Sequence, residues 1–237
     1  MRNIKFTILL FILTAGVRLH AQTGMHIGVD GAFNGTFIIN QNNYGHETGE
    51  LEYAPTFGYT VGGSAGYNFN NHLGVQVEVK HSLQGQKYAD IVRGVDVDRS
   101  VRLQYTHIPL LFKFSGGGHY ATRFYLLAGP QFSFLNKAQE TFSSSDQSVF
   151  RNYSENRTER FNRRDLQLVL DVGSDFVLYK NFYASTGLRF NYGLWDINAD
   201  GFKIQNPGRT SSISQNALGG IHFGIHYVFG PPVPVKH

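Results

Sequence analysis

Cysteine is absent from the 237 residues. Disulfides, thiolate metal sites and the acylated cysteine of a lipoprotein are therefore excluded. No Pro/Ser-rich linker and no block of like charge divides the chain, and past its first residues it carries no convincing amphipathic helix. Net charge is small as well. The formal charge is +4, but Arg2, Lys5 and Arg18 all precede residue 22 with no acid among them, so residues 22–237 carry only +1. The basic balance is thus a property of the first segment, and no nucleic-acid partner is expected.

What is present begins with that segment. Arg2 and Lys5 precede an apolar run, Phe6 to Val17, that leads to Leu19-His20-Ala21 before Gln22. The run of about a dozen residues is shorter than the 20 or so of a spanning helix, so residues 1–21 are expected to be a cleaved signal peptide. Residues 22–237 are then one exported domain.

Within that domain the dominant signal is alternation. In LGVQVEVKHSLQGQ (73–86), Leu73, Val75, Val77, Val79 and Leu83 share one parity, and Gln76, Glu78, Lys80, Ser82 and Gln84 the other. Successive strand residues face opposite sides, so this is a strand between an apolar and a polar environment. Similar stretches cover 25–39, 56–69, 105–114, 124–134, 166–178, 182–194 and 217–229, giving eight strands. Their connections alternate in length. Asn70-Asn71-His72, Ser115–Gly118 and Lys180-Asn181 are tight turns, whereas about 41–55, 87–100, 137–163 and 196–214 are expected to be long polar loops. That rhythm predicts an all-β, eight-stranded antiparallel up-and-down barrel with both termini at the short-turn end.

A soluble barrel also alternates, with its apolar face inside. Here the polar face holds Gly, Ser, Thr, Asn and Gln with few charges of either sign, which suits the crowded lumen of a small barrel. Phe57, Tyr67, Phe69, Phe112, Phe114, Phe182, Tyr192, Tyr227 and Phe229 gather near strand ends, as interfacial aromatic girdles do. The valines therefore face lipid and the barrel is transmembrane. YTHIPLLFKF (105–114), FYLLAGPQFSFL (124–135), the repeated Gly-aromatic strands and the final aromatic strand resemble the outer-membrane β-barrel domain of PorT-like, porin-family proteins. The resemblance implies a bacterial outer membrane and an accessory role in secretion or transport. Two features depart from it: His107 stands where the family usually has an acid before Ile-Pro, and residues 230–237 follow the terminal aromatic Phe229.

The inward charges are Asp30, Glu78, Lys80, Lys113, Arg123, Asp165, Asp171, Asp175 and Arg189. Of these, Asp30, Glu78, Lys80, Lys113, Asp171, Asp175 and Arg189 are expected to form a structural network filling the lumen. Counting through the Lys180-Asn181 turn puts Asp171 roughly opposite Arg189 with both inward, so the two are expected to form a cross-strand salt bridge. Asp171 and Asp175 are about 13 Å apart along a strand, too far for a carboxylate dyad, and the same spacing separates His222 from His226 and argues against metal chelation. Barrel closure should bring Asp30 near the level of those histidines. No catalytic, cofactor or metal residues are assigned, and no serine nucleophile has a recognisable context. The loop 137–163 carries Arg151, Arg157, Arg160 and Arg163 among Glu155 and Glu159, with Arg164 directly after it, and reads as a docking element or a clamp on lipid phosphates as well as a solvated loop. The sequons at Asn152 and Asn156 carry no weight in a bacterial membrane protein. A monomeric, non-enzymatic barrel is expected, in contact with outer-membrane lipid and a protein partner at its long loops. Its role is structural, adhesive or accessory; a secretion or transport accessory and a lipid-modifying enzyme are the alternatives.

Overall fold

An alternating strand must pair along both edges or leave its amides bare in hydrocarbon, and closure into a ring meets that demand. The computed structural model describes residues 23–39, 52–116, 122–202 and 213–230; the expected signal peptide, most of the 41–55 and 196–214 connections, part of the turn after Ser115 and the tail after Gly230 lie outside them. Ten strands are described: β1 (Gly24–Ile39), β2 (Tyr53–Ala54), β3 (Phe57–Asn68), β4 (Leu73–Val92), β5 (Val95–Gly116), β6 (Thr122–Ser144), β7 (Tyr153–Asn156), β8 (Arg164–Tyr179), β9 (Phe182–Gly193) and β10 (Gln215–Phe229). Eight of them close a ring in the order β1-β3-β4-β5-β6-β8-β9-β10, each antiparallel to its neighbours. The seam runs from Met25 opposite Phe229 to Ile39 opposite Gln215. β2 pairs with β4 and β7 with β6 outside the ring.

The faces fall as the composition predicts. Phe33, Val77, Val79, Phe112, Phe132, Leu170, Leu188 and Ile225 are exposed on the outer face, while Asp30, Gln76, Glu78, Lys80, Asp171 and Arg189 are buried within. At the short-turn end, the Asn70 side-chain oxygen accepts from the backbone N–H of His72 at 2.7 Å and of Leu73 at 2.8 Å, closing an Asx turn.

Two of the expected loops contain strand. Residues 87–100 form a hairpin, in which β4 continues to Val92 and β5 returns from Val95 through Arg93 and Gly94, both at positive φ (54° and 77°). A two-residue turn of that kind matches the right-handed twist of its strands. In 137–163, β6 runs on to Ser144, and β7 then folds back beside it. β5, β4 and β6 thus extend well beyond the nine to eleven or so residues that cross a membrane.

The apolar side changes along these strands. On β5, Phe114, Phe112 and Leu110 point outward, but beyond them the buried inward residues Tyr105, Leu103, Val101 and Val97 are the apolar ones, with Arg102 and Asp98 exposed. On β6 the switch uses a bulge: Gln104 pairs with Lys137 and Tyr105 with Leu135, so Asn136 is the extra residue. Outward Phe132 and Phe134 then give way to inward Ala138, Glu140 and Phe142. The lipid-facing band ends there. Above it, Ile38, Tyr88, Val101, Leu103, Tyr105, Leu135, Ala138, Phe161 and Ile197 form an apolar cluster at the mouth of the barrel.

The face assignment has a direct test. Val77→Arg places a charge in hydrocarbon and should cost about 2 to 4 kcal/mol near the bilayer midplane beyond the loss given by Val77→Ala. Reversible denaturant unfolding in lipid vesicles measures it. Equal stability of the Arg and Ala variants would mean that Val77 does not face lipid.

Candidate functional site

Among the described residues the buried ion pairs collect in two places, the lumen within the lipid-facing band and the inner face of the strands above it. The lumen group is built around Arg189. Its Nε donates to Asp171 Oδ2 at 2.8 Å on the adjacent β8, in the register that sets the two residues directly opposite. Its Nη1 and Nη2 donate to Glu78 Oε2 and Oε1 at 2.7 and 2.9 Å. β4 and β9 are four places apart in the ring of eight, so this bidentate pair spans the diameter. Lys80, two residues along from Glu78 on the same face, lies 2.9 Å from Glu78 Oε2 and donates its other contact to Asp30 on β1. Gly62 makes room for it, since a Cβ there would sit 2.7 Å from the Lys80 Cα.

His222 completes the circuit. Its Nε2 is 3.4 Å from Asp30 Oδ1 and its Nδ1 is 3.5 Å from Asp171 Oδ2, with Asp30 at a level between His222 and His226. His226 instead meets Ser185 Oγ at 3.0 Å and stacks on Tyr183. Lys113 and Asp175 form a separate pair at 2.7 Å, nearer the short turns, with the ammonium 5.4 Å from the ring centres of Tyr125 and Tyr183. Asp165 accepts amide N–H groups from Gln167 and Asn216 at 2.8 and 3.1 Å. Arg123 is half-buried, with its guanidinium on the Asn71 carbonyl in the first short turn. His107, in place of the resemblance's acid, is buried against Tyr105, with Nδ1 2.8 Å from Ser133 Oγ. Among the described residues no group of three His, Cys, Asp or Glu is placed to hold a metal ion.

The second group was not anticipated from the sequence. Glu140 on β6 receives Arg99 Nε at 3.0 Å, Arg160 Nη1 at 3.0 Å and the Tyr153 hydroxyl at 2.8 Å. Burial opposes its ionisation, but Arg99, the Tyr153 hydrogen bond and Arg160 together hold the carboxyl below its usual range. Burial, then the hydrogen bond to that carboxylate, pushes the Tyr153 hydroxyl up to about 12. The signal was the parity that Arg99 shares with Val97 and Val101, and Glu140 with Ala138 and Phe142. Arg157 pairs with Glu155 at 2.5 Å. The side chains of Asn152 and Asn156 cap the backbone N–H groups of Ser144 and Thr158 within the fold-back segment.

A closed ring of eight alternating strands, apolar outside and ion-paired within, is the architecture of a small outer-membrane barrel. The profile of the outer membrane protein beta-barrel domain matches residues 20–199. The chain belongs to that family. Neisserial surface protein A is 14% identical, covers 87% of this chain over 98% of its own, and superposes with a TM-score of 0.46. The outer membrane protein OprG from Pseudomonas aeruginosa is 14% identical over 88% of this chain and 100% of its own, with a TM-score of 0.44. The attachment invasion locus protein Ail of Yersinia pestis is 16% identical over 86% and 99%, with a TM-score of 0.40. No curated protein matches the chain. Membership places this barrel in the bacterial outer membrane.

The lumen network predicts a coupling. Arg189→Gln leaves Glu78 and Asp171 buried without their guanidinium, a loss of about 3 to 5 kcal/mol for a broken buried pair. Glu78→Gln combined with Arg189→Gln removes one charge of each sign, so the double variant should be less destabilised than the sum of the singles. Additive losses in vesicle unfolding would show that the two side chains do not act as a pair.

Above the membrane, pH provides the test. A carboxyl held below its usual range stabilises the fold above the unfolded-state value and loses that contribution as pH falls through the folded one. The Arg99–Glu140 contact should therefore persist at neutral pH and fail only below the ordinary glutamate range. Glu140→Gln should open the projecting strands to trypsin at Arg99 at neutral pH while the barrel stays resistant. Full protection of the variant would show that the contact does not hold the strands.

Proposed function

We propose that this protein is a non-conducting, non-enzymatic outer-membrane barrel that presents a rigid β-sheet as a docking or adhesive surface at its long-connection end. The observation that carries the reading is the continuation of β4, β5 and β6 above the lipid-facing band, together with β2 and β7, around a buried core of their own. About ten residues of β5 lie beyond the band, or roughly 30 Å of strand. A sheet with its own core holds its shape at little ordering cost when a partner binds, unlike a solvated loop. Ion pairs across the lumen and the apolar cluster at its mouth support a closed lumen, and general diffusion comes with barrels of about 16 strands. Export by a cleaved signal peptide, with the long-connection end outside the cell, belongs to the same proposal.

In planar bilayers the purified protein should show little or no conductance. A large, stable open state would remove the plug. A photo-reactive residue at Asp98, exposed on the projecting sheet, should yield a discrete adduct in intact outer membranes, whereas one at His72, at the short turns, should not. An adduct at His72 alone would place the working surface at the opposite end, where a secretion accessory would meet periplasmic partners.

A further inference from the structure

Five arginines occur between 151 and 164; Arg151 is exposed in the fold-back segment, and the other four divide into two pairs. Arg157 and Arg160 are committed to Glu155 and Glu140. Arg163 and Arg164 are exposed, and among the described residues neither is in an ion pair. Both border a groove of about 620 Å³ with Asn162, Leu194, Trp195, Asp196 and Ile213. Asp196 Oδ1 accepts the backbone N–H groups of Asn198 and Ser214 at 3.0 and 3.2 Å, which ties that carboxylate into the groove wall and leaves the two arginines in excess over it. Asn162 fixes the wall by donating to the Asp196 and Asn198 carbonyls.

The groove lies where the lipid-facing band ends. Arg164 is paired with Phe134, the last outward aromatic of β6, and the Leu194 N–H bonds the Leu166 carbonyl at 2.7 Å, which sets both leucines at that boundary. Leu194, Trp195 and Ile213 are exposed there, continuous with the apolar band below. Neighbouring strands repeat the order: Lys137 and Arg102 are exposed just above the band, whereas the exposed acids Asp96 and Asp98 lie out toward the hairpin tip. Cations over an apolar floor at the hydrocarbon boundary complement an amphiphile with an anionic head.

We propose that Arg163 and Arg164 bind the phosphate of a phosphorylated lipid in the leaflet on the long-connection side, with Trp195 beside the headgroup and an acyl chain along Leu194, Leu166 and Phe134. Two guanidiniums satisfy a phosphate by charge-assisted hydrogen bonds, and their depth selects a membrane-held phosphate over a dissolved one. The site stands independently of whether the projecting sheet docks a partner.

Native mass spectrometry of the full barrel in uncharged detergent tests it, with dioleoyl phosphatidic acid as probe, dioleoyl phosphatidylcholine as the zwitterionic control and inorganic phosphate as the soluble competitor. The wild type should hold phosphatidic acid in preference to phosphatidylcholine. Arg163→Gln with Arg164→Gln should weaken that binding about tenfold or more, while Arg93→Gln, an exposed arginine at the hairpin tip, should leave it unchanged. A matched unfolding midpoint would establish that the double variant is folded. Equal binding by wild type and double variant, no preference for the anionic lipid, or displacement by inorganic phosphate at equal concentration would each overturn the proposal.

Discussion

Arg189 has one carboxylate partner on the strand beside it and another on the opposite wall of the ring, so its side chain ties the barrel across its diameter. Backbone pairing alone closes eight strands but leaves the cross-section free to flatten. A buried guanidinium held on two sides resists that, because stretching either contact leaves a charge unpaired where it is expensive. Lys80, Asp30 and His222 extend the tie from β4 through β1 and β10 back to Asp171. A side chain at position 62 would run into the Val79 carbonyl and the backbone and stem of Lys80, which accounts for Gly62 beneath Lys80.

The lumen belt and the outer sheet solve opposite solvent problems on the same strands. Within the band the outer surface meets hydrocarbon, so apolar side chains go outside and polar ones must satisfy one another inside. Above it the outer surface meets water and the inside becomes an ordinary apolar core, with the charges of Arg99 and Glu140 admitted only as a hydrogen-bonded pair. β5 makes the change without altering its backbone phase, by exchanging residue types near Tyr105. β6 makes it with the bulge at Asn136.

That exchange explains how far the sequence could be read. Where one environment persisted along a strand, period two identified faces and strands and brought Asp171 to within one residue of Arg189; the turn itself pairs Tyr179 with Phe182, and a register shift between Val177 and Tyr179 then sets Asp171 directly opposite Arg189. Where the environment changed within a strand, alternation cancelled itself. VRGVDVDRSVRL reads as polar and irregular until the valines are placed inside and the arginines and aspartates are divided between two faces. The Arg93-Gly94 turn offered little help, since arginine is not among the residues that favour positive φ. Contacts across the lumen were hidden for another reason. Glu78 and Arg189 are 111 residues apart on strands that never pair, and the stagger that brings them level is a property of the closed ring.

The two layers also differ in how freely they can change. A lumen residue has partners on several strands, so a substitution there is felt around the whole belt. An outward residue on the projecting sheet, such as Asp98 or Arg102, is exposed and held in place by strand pairing. Stability is therefore concentrated in the part of the molecule that no partner can reach. The surface that a partner could reach is left open to variation in charge and shape, and its sheet geometry is held from behind by Tyr88, Leu103 and the Glu140 contacts.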